Sequence, residues 1–120
     1  MHRVVLGFRQ FSKVSKEALI EQIRAEIASN HTVIYSKTYC PYCERAKEKL
    51  SDLKLEPLIK ELDEDPLGPH IQNALQEMTK QRTVPNIFIN GVHIGGCDDL
   101  LRKSGDGSIS RLLSESGSKL

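Results

Sequence analysis

Cys40-Pro41-Tyr42-Cys43 is the stretch of this 120-residue chain whose residue types and spacing can do covalent chemistry. Two thiols three positions apart can close a small disulfide, and each can attack a foreign disulfide once it has lost its proton. A helix opening at Cys40 would favour that thiolate, because a helix N-terminus presents free N–H groups and partial positive charge. Lys37, three residues upstream, adds positive charge, and Pro41 suits the first turn of such a helix. Cys43 then lies one turn inside, within reach of Cys40. The competing use of a Cys-x-x-Cys pair is structural zinc, which needs two more ligands. No second pair exists, and Cys97 and His93 belong to a distant hairpin. Redox chemistry is therefore the preferred reading, and no metal is expected.

Such a site needs a strand to deliver Cys40 and a helix to receive it. Thr32-Val33-Ile34-Tyr35-Ser36 is a β-branched and aromatic run without alternation, which predicts a strand buried on both faces. Cys40 to about Leu53 follows as a helix, with Ala46, Leu50 and Leu53 on one face. Leu19, Ile23 and Ile27 predict a preceding helix over 16–29. Downstream, the pattern predicts a strand over 58–62, a loop over 63–69 and a helix over 70–79. Asn90-Gly91 separates Asn86–Ile89 from Val92–Ile94, the strongest short hairpin signal available. A helix from about Asp98, broken by Gly105 and Gly107, and a short one over 108–114 complete the chain. The order α-β-α-β-α-β-β-α implies a parallel pair with a right-handed crossover and a closing antiparallel hairpin. The expected class is α/β: a four-stranded mixed sheet flanked by helices, the thioredoxin fold.

The balance of residues narrows the function. Hydrophobic content of 38% and charged content of 28% describe one ordinary globular domain, expected over residues 15–114, with an extension at 1–14 and a flexible tail at 115–120. A net charge of +1 offers no basic face for nucleic acid. No apolar run approaches the roughly 18 residues of a membrane span. Three cysteines do not make a secreted disulfide framework. His2, His31, His70 and His93 share no spacing that suggests a metal site or a triad, so they are expected at the surface. The acidic run Glu61–Asp65 is expected to be a solvated loop.

Three segments resemble dithiol glutaredoxins: Lys37-Thr38-Tyr39-Cys40-Pro41-Tyr42-Cys43, Arg82-Thr83-Val84-Pro85-Asn86-Ile87-Phe88-Ile89 and Gly95-Gly96-Cys97-Asp98-Asp99-Leu100. The resemblance spans about residues 16–114. Thioredoxins usually carry Trp-Cys-Gly-Pro-Cys, and this chain has no tryptophan. The resemblance implies glutathione-dependent thiol–disulfide exchange, with Cys40 as nucleophile and Cys43 as resolving thiol. It implies a cis Val84-Pro85 bond beside Thr83, turning the Val84 backbone outward to pair with a peptide as an added strand does. It also implies that Gly96, Cys97 and Asp98 hold the γ-glutamyl end of glutathione at a helix N-terminus. Lys37, Gln72 and Arg82 match positions that contact the glycyl carboxylate, and Tyr42 would line the groove. Asp99 is read only as an N-cap. Cys97 occupies a position where some members carry serine or asparagine.

Glutathione is thus the expected co-substrate, glutathionylated or disulfide-containing proteins are the expected partners, and a monomer is expected. The rival from another class is a carrier of a [2Fe–2S] cluster held by Cys40 and glutathione from two subunits. Members that do this usually have Gly or Ser in place of Pro41, or one active cysteine. A cytoplasmic protein is expected, with a peroxisomal share directed by the terminal Ser118-Lys119-Leu120. Residues 1–14 are basic and lack acids, and Arg9-Gln10-Phe11-Ser12 resembles a mitochondrial processing site, a lesser alternative.

Overall fold

The structure, a computed structural model, describes residues 14–118. The expected N-terminal extension, Val14 apart, and Lys119 and Leu120 lie outside the described residues. Among the described residues, five helices and four strands follow in chain order. They are α1 (Lys16–Ser29), β1 (Thr32–Ser36), α2 (Pro41–Asp52), β2 (Leu58–Glu61), α3 (Gly68–Thr79), β3 (Asn86–Ile89), β4 (Val92–Gly95), α4 (Cys97–Gly105) and α5 (Ser108–Ser118). The sheet order is β2-β1-β3-β4. β1 runs parallel to β2 and antiparallel to β3, and β3–β4 is the antiparallel hairpin. The expected four-stranded mixed sheet is what the chain forms.

All five residues of β1 are buried, because the sheet has an apolar layer on each side. Val33, Tyr35 and Phe88 face one layer with Leu19 and Ile23 of α1 and Ile71 and Leu75 of α3. Ile34, Ile87 and Ile89 face the other with Leu50 of α2, Leu100 of α4 and Ile109 of α5. Strands covered on both faces need no polar alternation, which is why β1 and β3 read as continuous apolar runs. Full burial of each such side chain contributes about 1.5–3 kcal/mol, so the central strands are the best-anchored part of the chain. Tyr35 also donates from Oη to Glu26 Oε1 at 2.8 Å, and Glu26 pairs with Lys60 at 3.1 Å. Burial and that carboxylate push the Tyr35 phenol pKa up. The triad ties α1 to both β1 and β2.

The turns follow from backbone chemistry. Asn90 and Gly91 both have positive φ (52° and 77°), as a two-residue hairpin turn requires. Ser15 caps α1 by accepting from the Ala18 N–H at 3.1 Å. At the β4 edge, Lys103 Nζ donates to the Ile94 carbonyl at 3.2 Å.

Two boundaries and one loop differ from expectation. α3 starts at Gly68, not at 70, and takes in Pro69, which a first turn tolerates because its missing N–H would have no helical partner there. Glu61–Asp65 is not simply a solvated loop. Glu61 closes β2 and pairs with Lys47 at 2.7 Å, Asp63 accepts from Thr38, and Asp65 Oδ1 accepts from the Leu67 N–H at 2.8 Å. α5 runs to Ser118, past the expected end at Ser114, so positions 115–118 are helical rather than a flexible tail. Ile109, Leu112 and Leu113 seat that helix on the core, and the first residue against helix propagation is Gly117.

Gly68 is fixed by a close approach. A Cβ there would lie 1.9 Å from the Leu62 carbonyl oxygen, backbone against backbone. Gly68→Ala is expected to destabilise the domain by about 2 kcal/mol or more, read as a lowered midpoint in chemical denaturation. An unchanged midpoint would show that the Leu62 turn yields freely.

Candidate active site

β1 ends at Ser36, and a three-residue loop brings Cys40 to the start of α2. Cys40 is the N-cap of that helix, in extended conformation (φ −96°, ψ 114°). Its Sγ accepts the Cys43 N–H at 3.2 Å, and its carbonyl accepts the Glu44 N–H at 3.1 Å. A sulfur that satisfies a free helix N–H, in the positive field of the helix start, is placed to hold negative charge. Pro41 occupies the first helical position, as expected. Cys40 is half-buried and Cys43 fully buried, and no disulfide joins any of the three cysteines. Burial first, and then the hydrogen bond to Cys40, push the Cys43 thiol up to about 11.

The loop is held from a distance. The Thr38 N–H donates to Asp63 Oδ1 at 3.0 Å, and the Thr38 hydroxyl donates to Asp63 Oδ2. Those two donors hold the Asp63 carboxyl below its ordinary pKa. The Cys40 N–H closes the turn on the Lys37 carbonyl at 3.2 Å. Tyr39 and Tyr42 flank Cys40, 70% and 56% exposed, and the Arg45 guanidinium lies 5.6 Å from the Tyr42 ring centre.

Beside Cys40 runs an open groove of about 310 Å³. Tyr42, Thr83, Val84, Pro85, Gly96, Cys97 and Asp98, all named by the resemblance, line it together with Gln81 and Asp99, which the resemblance does not place there. The Val84–Pro85 bond is cis, as expected. Gly96 is the N-cap of α4, so free helix N–H groups face the groove. Cys97 is buried, which pushes its thiol up; the charges of Arg45, Asp98 and Cys40 all reach it, so the groove and Cys40 share one electrostatic neighbourhood. A larger cleft of about 660 Å³ lies between α1 and α3, but it carries a Lys16–Glu77 ion pair and no cysteine.

Lys37, Gln72 and Arg82 lie outside the walls of the groove. Lys37 is half-buried, and its charge acts on Asp63. Gln72 is turned inward and donates to the Arg82 carbonyl at 3.0 Å, while Arg82 Nε donates to Asn73 Oδ1 at 3.0 Å. Asp99 is not an N-cap residue. Standing three positions into the motif, its carboxylate reaches back to accept the Gly96 N–H at 3.0 Å, which lowers its pKa. Gly95 makes room for it: φ is +117°, and a Cβ would lie 2.2 Å from Asp99 Oδ2. His93 is also not a plain surface residue. Its ring packs on Phe88 and its Nε2 lies 2.8 Å from Asn86 Oδ1, and burial lowers its pKa.

The expected consequence of the Asp63 brace is local. Asp63→Ala should slow Cys40 alkylation or exchange by roughly two- to fivefold, on the scale of an exposed charge-assisted pair, and leave the thermal midpoint within a few degrees. Equal rates would remove Asp63 from the site.

A family model described as glutaredoxin matches residues 32–94. A glutaredoxin-1 of Rhizophagus irregularis is 50% identical over 93 residues, covering 78% of this chain and 92% of that protein. A glutaredoxin of Ricinus communis is 50% identical over 91 residues, 76% of this chain and 89% of that protein. Among solved structures, a buckwheat glutaredoxin–glutathione complex superposes with a TM-score of 0.81 at 42% identity, covering 85% of this chain and 93% of its own.

Proposed function

The chain belongs to the glutaredoxin family and is a thiol oxidoreductase; on that premise we propose that it removes glutathione from protein–glutathione mixed disulfides and reduces protein disulfides at the expense of glutathione. The observation that carries this reading is the Cys40 sulfur capping α2 beside a groove walled by Val84 and Asp98. The Cys40 thiolate attacks the glutathione sulfur of the mixed disulfide. A Cys40–glutathione disulfide forms, and the protein leaves as a thiolate that takes up a proton. A second glutathione thiolate attacks the glutathione sulfur on Cys40, giving oxidised glutathione and restoring the Cys40 thiolate. With a protein disulfide, Cys40 forms the mixed link and Cys43 attacks the Cys40 sulfur, closing an intramolecular disulfide and releasing the reduced protein; two glutathione molecules then reduce the Cys40–Cys43 disulfide and leave as oxidised glutathione.

Glutathione is read into the groove with its γ-glutamyl carboxylate on the N–H groups of Cys97 and Asp98, its amino group on the Asp98 carboxylate, and its backbone along Val84. Lys37, Gln72 and Arg82 stand on the side of the glycyl carboxylate, Gln72 acting through the Arg82 backbone it holds. Protein substrates approach over Tyr39 and Tyr42.

Cys40→Ser is expected to abolish both activities. Cys43→Ser is expected to keep deglutathionylation and lose most dithiol reduction. The buried Cys43 thiol is protonated at neutral pH, and its thiolate fraction rises about tenfold per pH unit below a pKa of about 11. Dithiol reduction should therefore climb from pH 7 to pH 9 more steeply than deglutathionylation; parallel profiles would show that Cys43 resolution is not limiting. Asp98 is exposed, so Asp98→Ala should raise the KM for glutathione by roughly three- to tenfold without unfolding the domain. Coupled assays with a glutathionylated peptide check each variant. A purified protein absorbing at about 400–450 nm would instead favour the [2Fe–2S] carrier.

The place of action is part of the proposal: a cytoplasmic protein with a peroxisomal share, addressed by Ser118-Lys119-Leu120. An N-terminal fluorescent fusion should give puncta that vanish when the tripeptide is deleted, and identical diffuse patterns would refute the address. Mitochondrial location of a C-terminal fusion would favour the N-terminal extension.

A further inference from the structure

We propose that Gln81 is a positioning residue of the groove, a clamp that sets the Val84 backbone for pairing with substrate. The inference rests on the glutathione reading above for its kinetic consequence, and on geometry alone for the clamp. Gln81 Nε2 donates to the Thr83 carbonyl at 3.1 Å and to the Pro85 carbonyl at 2.9 Å. One amide thus holds the carbonyls on both sides of Val84. Among the described residues, no hydrogen bond engages the Val84 N–H or carbonyl, so the two flanking carbonyls are fixed while the group between them is left for an incoming chain. The side chain is half-buried in the groove wall, where a Cβ on Gly96 would come within 3.9 Å of its Nε2.

Gln81 is in turn pinned. Its N–H donates to Thr79 Oγ1 at 3.1 Å, and that hydroxyl donates to the Leu75 carbonyl at 2.8 Å at the end of α3. Its carbonyl accepts from Asn86 Nδ2 at 3.4 Å; the fully buried Asn86 meets His93 of β4 through its Oδ1. The clamp is therefore seated on α3, β3 and β4 at once. A rigid Val84 backbone lowers the ordering cost of adding a substrate strand, so the clamp acts on substrate affinity and not on the sulfur chemistry.

The test compares Gln81→Ala and Gln81→Glu with the unaltered full chain. Gln81→Glu keeps the volume but replaces the donor with an oxygen facing two carbonyls, so a packing role alone would leave it silent. The expected result is a lowered NMR order parameter for the Val84 amide in both variants, toward about 0.6 from a rigid value near 0.85. The KM for a glutathionylated peptide should rise about five- to tenfold, and more in Gln81→Glu, with kcat and the rate of Cys40 alkylation by iodoacetamide unchanged. Val84 as ordered in Gln81→Glu as in the unaltered protein overturns the clamp, as does an unchanged KM in an otherwise active enzyme. A loosened Val84 in a protein that shows no glutathione-dependent activity even unaltered would keep the clamp and overturn the glutathione reading.

Discussion

The hydrogen bond from the Cys43 N–H to the Cys40 sulfur is the interaction around which the rest of the molecule is arranged. It forms only if Cys40 is extended while Pro41 is already helical, so the chain must change conformation at one residue. That requires β1 to be fixed up to Ser36, and burial of all five of its residues between two apolar layers fixes it. It also requires the loop to be held, and Asp63, just past β2, grips Thr38 from the neighbouring strand. The crossover from β1 through α2 to β2 therefore serves the sulfur twice, once by delivering it and once by bracing its loop.

Three identical side chains acquire three characters from their surroundings. Cys40 caps a helix and is half-buried. Cys43, one turn on, is sealed in, and its thiol is pushed up to about 11. Cys97 opens another helix, yet burial dominates there too and raises its thiol. A helix N-terminus does not make a cysteine reactive by itself; desolvation opposes it, and only Cys40 combines the cap position with access to solvent.

Much of this was legible in the chain. β1 is marked by its unbroken β-branched and aromatic run, the hairpin by Asn90-Gly91, and the helix start at Cys40 by Pro41 in its first turn. These signals are local: each residue states its own conformational preference. Asp63, Gln81 and Asp99 could not be read in the same way. Asp63 serves a residue 25 positions away. Gln81 serves carbonyls in a loop whose path no side-chain pattern encodes, and Asp99 works only because Gly95 lacks a Cβ. Gln72 shows the limit from the other side: the resemblance implies a contact with ligand, but no local pattern announces that its side chain is buried and donates to the Arg82 backbone. The end of α5 was missed because serines and a glutamate after Leu113 look polar and loose, whereas the apolar residues before them carry the helix onward.

The sheet ends at β4 on one side, and Val92 stands exposed there. An open strand edge invites another chain to add itself, the route to unwanted association and fibrils. Lys103, reaching over from α4 to the Ile94 carbonyl, occupies an edge acceptor with a positive charge that an approaching strand would have to displace. The same lysine therefore bears on colloidal behaviour at high protein concentration, a property separate from the chemistry of the thiols.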